Sequence, residues 1–151
     1  MRRLLLLLCV CLCLAGCRQD ESKTLADFRS KEVTLASGQK ILCEVMMQRE
    51  EMMRGMMFRD SLAPDHGMLF IHGAPGKYAY WMYQVRIPLD IIWMDRQHRV
   101  VEISANTPPC KNASASTCPN YGGHEDAMYV LELAGGMAAK YGVRVGDTIN
   151  F

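Results

Sequence analysis

Charge of one sign is missing from this 151-residue chain: 17 Lys and Arg stand against 16 Asp and Glu, a formal net of +1. A nucleic-acid footprint needs a basic face, so no nucleic-acid partner is expected. Six prolines and twelve glycines are too few for a collagen-like or Pro-rich linker protein. No apolar run reaches the roughly 17–25 residues of a spanning helix. The longest, Leu4 to Ala15, has 12. No segment repeats at a period of about 20–50 residues, which excludes a solenoid or propeller. The sequence has neither G-x-S-x-G nor H-E-x-x-H. Its four histidines, His66, His72, His98 and His124, include no i, i+4 or H-x-H pair that would announce a zinc site. No cofactor is expected. Half of the residues are hydrophobic and 22% are charged, which excludes a disordered chain. The length is that of one domain at most.

What is present begins with a processing signal. Arg2 and Arg3 precede the apolar run, which has the length of a signal-peptide core and ends Leu14-Ala15-Gly16-Cys17. This resembles the bacterial lipobox, in which the cysteine thiol receives a diacylglycerol and the peptide is cut before it. Residues 1–16 are therefore expected to be a signal peptide and Cys17 the lipidated residue, anchoring the protein to a membrane with more than one acyl chain. Arg18 stands where inner-membrane lipoproteins often carry Asp. In a two-membrane bacterium that points to the outer membrane, facing the periplasm. Residues 17–31 are polar and mixed in charge and read as a tether.

The rest of the chain, 32–151, reads as one β domain. Strands are expected over 31–35 and 40–46 around a Ser37-Gly38 hairpin turn, and over 67–72, 78–82, 89–95, 99–104 and 127–133. A turn at 143–147 with its own short strand, then a last strand over 148–151, complete the set. Helices are expected over 50–58, despite Gly55, and over 135–141. Many short strands with Gly and Pro turns make the fold mainly β with one or two short helices, a jelly-roll-like β-sandwich or partly closed barrel.

The order of motifs, RGMMFRDSL (54–62), GMLFIH (67–72), YWMYQVRIPLDIIWMD (80–95), VVEI (100–103), YVLELAGGMA (129–138) and GVRVGDTINF (142–151), resembles the domain of unknown function 192 (DUF192) family over roughly 32–151. The resemblance implies a small all-β, jelly-roll-like domain, often secreted or lipid-anchored, with no established activity. One departure is visible: the family's Asn-Thr after Trp-Met is Gln84-Val85 here.

Several side chains are candidates for chemistry. Cys110 and Cys118, eight positions apart in a Pro-rich loop, are expected to close a disulfide in an oxidising compartment. Cys43, in a strand pattern, is expected as a buried free thiol. Met52 and Met56, like Met53 and Met57, are i, i+4 and would share a helix face. Their thioethers could hold copper or silver or absorb oxidants, although packing is the simpler role. Arg59 and Asp90 are expected to form an ion pair tying helix to sheet. The alternative is a polar pocket of Arg59, Trp81, Gln84 and Asp90, suited to a small anion or a sugar. The expected function is a non-catalytic small-ligand-binding or envelope-accessory module. Its alternatives are an enzyme built on that pocket and a Met-rich copper, silver or oxidant buffer.

Overall fold

The computed structural model of the chain describes residues 29–112 and 114–151. The expected signal peptide, Cys17 and most of the tether lie outside the described residues. The chain is mainly β with two short α-helices. Its strands are β1 (Ser30–Thr34), β2 (Lys40–Met46), β3 (His66–Gly76), β4 (Tyr80–Trp81), β5 (Leu89–Met94), β6 (Val100–Thr107), β7 (Asn120–Tyr121) and β8 (Ala127–Ala134). The helices are α1 (Arg49–Arg54) and α2 (Met137–Lys140).

Six strands form one open sheet in the order β1-β2-β3-β8-β5-β6, and β4 pairs with β7 as a separate ribbon. All sheet neighbours are antiparallel except β2 and β3. A parallel pair needs a long crossover; residues 47–65, which contain α1, supply it. Strand β1 begins at Ser30, so the last two residues assigned to the tether belong to the sheet.

Every residue of β5 is buried, because both faces of the sheet are covered at this strand. On one face Leu69, Ile92, Met94, Leu131 and Leu133 pack with Ala138 of α2 and Ile149. On the other, Met68, Phe70, Ile91, Trp93 and Val130 pack under Met56, Met82 and Val85. The buried members of both cores fall between Val33 and Ile149, so residues 29–151 carry their own cores and form a foldable unit. Gly122 lets the chain cross Trp93 closely: its φ is +64°, and a Cβ there would lie 2.3 Å from the indole.

Several elements differ from the sequence expectation: β4 is shorter than 78–82, β6 runs past 104, β7 lies where no strand was expected, and three further differences have a clear cause. The helix expected over 50–58 stops at Arg54, because Gly55 (φ +42°) turns the chain and Met56 drops into the core. Strand β3 does not end at His72. It runs on through the Gly-Ala-Pro-Gly segment by an irregularity between Ile71 and Gly76. Residues 143–151 form no named strand; they join the sheet through the bridges Arg99–Thr148 and Thr34–Asn150 and through Gly146 N–H, which donates to the Val100 carbonyl at 2.8 Å.

Candidate functional site

The second face of the sheet is not fully covered. Between the α1 segment and residues 78–85 lies an open cleft of about 590 Å³. Met47, Met52, Met53, Met56 and Met57 line one side, and Tyr78, Tyr80 and Trp81 the other, with Phe70 and Glu132 also contributing. The two sides are tied together. Met57 and Val85 form an antiparallel bridge, and Phe58 N–H donates to the Gln84 carbonyl at 2.9 Å. The Tyr80 ring meets Phe70 edge-on at 5.1 Å and Trp93 at 5.8 Å.

Glu132 is the unusual residue. It lies in the middle of β8, opposite Met68 on one side and Ile91 on the other. Its residue exposure is 4%, and its Oε2 is buried with no hydrogen-bond partner. Burial pushes its carboxyl up to about 8, against the opposing pull of Arg59. At neutral pH this acid keeps its proton. His72 and Tyr80 also line the cleft, with His72 Nε2 3.1 Å from the Tyr80 hydroxyl. The His72 ring stacks flat on Tyr78, with centroids 3.5 Å apart. Burial holds His72 below its ordinary pKa and, together with Glu132 and Tyr78, holds the Tyr80 phenol above its own. Two cations, Arg49 and Arg54 of α1, line the cleft.

The four residues grouped as a candidate pocket are not brought together. Trp81 lines the cleft. Arg59 lies on the far side of the 54–57 segment, in a neighbouring hollow, where its guanidinium holds the Glu44 carboxylate through two hydrogen bonds, Nη2 to Oε2 at 2.7 Å and Nη1 to Oε1. That contact lowers the Glu44 pKa and raises that of Arg59. Gln84 is exposed and left-handed, with φ +58°. Asp90 is fully buried on the α2 side, where one carboxylate oxygen accepts from Asn106 N–H and the other from Ala138 N–H, both at 2.6 Å.

The expected Arg59–Asp90 ion pair is therefore corrected. Glu44 on β2, separated from Asp90's strand by β3 and β8, takes the arginine, and backbone amides satisfy the aspartate. The Gln84 conformation also gives a backbone reason for the family's Asn, which tolerates φ > 0 better than Gln. The four clustered Met do converge, but not as a helix face: α1 ends before Met56 and Met57. Among the described residues no group of three or more His, Cys, Asp or Glu is placed to hold a metal.

Cys110 and Cys118 are joined by a disulfide. Cys110 N–H donates to the Met82 carbonyl at 3.1 Å, so the stapled loop is fixed behind the aromatic side of the cleft. Asn120, just past the staple, pairs with Trp81 and reaches the lining. Cys43 is a buried free thiol whose pKa burial pushes up to about 12.

Sequence reasoning did not single out Glu132, Tyr80 or His72 as site residues. The signal for Glu132 was an acid inside the apolar strand Val130–Leu133, which reads equally as a solvent-facing position until the covering segment is placed.

Residues 32–151 match the DUF192 family model, described as an uncharacterised conserved family. No curated protein matches the chain. Solved structures similar to the chain include the following two. A Novosphingobium aromaticivorans protein of unknown function is 31% identical, with TM-score 0.71, covering 81% of this chain and 85% of its own. A Sinorhizobium meliloti protein, described as a candidate transcription regulator, is 30% identical, with TM-score 0.72, covering 80% of this chain and 92% of its own.

Proposed function

The chain belongs to the DUF192 family, and we propose that this member is an exported, lipid-anchored module of the cell envelope that holds a small ligand in the cleft over Glu132. The proposal of export rests on the apolar run ending at Cys17 and on a disulfide suited to an oxidising compartment. The binding function rests on one observation above the others: a buried carboxyl with an unpartnered oxygen, in a cleft walled mainly by thioether and aromatic side chains. Such a group costs stability, and replacement by an apolar residue would relieve it. A ligand that hydrogen-bonds to it removes the deficit on binding. Apolar walls with a few convergent polar groups are the usual make-up of small-molecule sites. The Met side suits ligands of variable shape, because unbranched thioethers repack easily.

Two experiments test this. Ligand-observed NMR of residues 29–151 against a library of small apolar molecules bearing one hydrogen-bonding group should give binders. Their affinity should fall at least about tenfold in Glu132→Leu, which by melting temperature should be no less stable than the parent. Binders indifferent to Glu132→Leu would remove the site from the cleft. Cys17→Ala in the full chain should abolish lipid labelling; labelling that persists would remove the anchor.

A further inference from the structure

The charged groups lining the cleft are unevenly distributed by sign. Arg49 and Arg54 come from α1, and both are exposed. Neither makes a salt bridge among the described residues, whereas Arg29, Arg59 and Arg86 are each paired, with Glu51, Glu44 and Asp60. Among the described residues the acids of α1 form no ion pair with the two: Glu50 lies outside the lining, and Glu51 is held by Arg29 and by the Gln48 N–H at 3.2 Å. The one acid in the lining, Glu132, is buried away from solvent among apolar neighbours. The cleft thus offers, on its exposed α1 side, two guanidinium groups with no ion-pair partner among the described residues, aromatic and thioether walls, and a buried hydrogen-bonding group.

We infer that the cleft selects anionic amphiphiles: molecules with an apolar, preferably flat body, one anionic group held by Arg49 and Arg54, and a neutral hydrogen-bonding group for Glu132. Guanidinium groups suit carboxylate, sulfonate and phosphate oxygens, through charge-assisted and often two-point hydrogen bonds. Tyr80 and Trp81 offer aromatic surface to a flat body. A cation of the same shape meets the two arginines with like charge and is disfavoured. This inference rests on the cleft being a binding site and adds the sign of its ligand.

Two probes of nearly one shape separate the claims: 8-anilinonaphthalene-1-sulfonate, and N-phenyl-1-naphthylamine, which is the same amine without the sulfonate. Fluorescence titration of residues 29–151 at low salt should show the sulfonate bound about tenfold more tightly or better, the factor expected of one charge-assisted contact. In the Arg49→Gln, Arg54→Gln double variant that preference should vanish while the neutral probe keeps its affinity within about twofold. The Lys versions of both positions should retain part of the preference. Trp81→Ala should weaken both probes. Equal affinities in the parent, or a preference that survives the double Gln variant, overturn the anion inference and leave the cleft reading standing. Neither probe binding, or binding untouched by Trp81→Ala, overturns both. Thermal melts of each variant check that unfolding is not the cause; both arginines are exposed, so the Gln variants should melt near the parent.

Discussion

Asp90 shows how far a charged residue's role depends on its unobvious partners. Its carboxylate clamps the start of α2 and the end of β6 through two backbone amides. Asp90→Ala leaves the buried Ala138 N–H without an acceptor, at about 1–3 kcal/mol, and also releases the part-buried Asn106 N–H. A large fall in the denaturant midpoint is expected. Arg59→Ala breaks a half-exposed pair worth up to about 1 kcal/mol. Because the two residues share no partner, their effects should add to within about 0.5 kcal/mol, whereas Arg59 and Glu44 should show coupling in a double-mutant cycle. Coupling between Arg59 and Asp90 instead would restore the ion pair read from sequence. That reading failed for a physical reason: sequence shows which charges need partners, but backbone N–H groups are invisible partners. Cys43 was legible, since a small thiol in an alternating strand belongs inside. In the folded protein it should resist alkylation at pH 8 and react only on unfolding.

At the scale of elements, the strands read well wherever apolar runs were bounded by turns, as in β1, β2, β5 and β8. The parallel pairing of β2 with β3 was not legible, because register and direction come from the crossover rather than from either strand. The cleft was half legible. Its Met side was conspicuous as composition, but its geometry comes from Gly55 ending α1 early, not from helical spacing. The stapled loop stands behind the other side. Replacing Cys110 and Cys118 with Ser should cost about 2–3 kcal/mol in the chain-entropy model. It should also loosen the β4–β7 ribbon, so that probe affinity in the cleft falls more than in a surface variant of equal stability. Unchanged affinity would mean that the aromatic side stands without the loop.

For the molecule as a whole, Glu132 links cleft and stability through pH. The unfolded side chain releases its proton near 4.5, and the folded one near 8. Between those values the native state binds the extra proton, so stability falls as pH rises. Each unit of separation is worth about 1.4 kcal/mol at most. His72, whose folded pKa is lowered, acts in the opposite sense as pH falls through 6.5 and below. His72 is common to wild type and Glu132→Gln, so the difference between the two proteins isolates the acid. Over pH 6.5–8 the wild type should lose stability relative to Glu132→Gln, which keeps the shape and has no proton to lose. Parallel curves would contradict this.

The most direct test is a ¹³C NMR titration of the Glu132 side-chain carboxyl in residues 29–151, assigned by its disappearance in Glu132→Gln. The cleft described above requires a proton-bearing acid at neutral pH, and the resonance should titrate at about 8. Addition of 8-anilinonaphthalene-1-sulfonate should shift it, because bound probe meets this group. A carboxyl that titrates near 4.5 and ignores the probe would contradict the account.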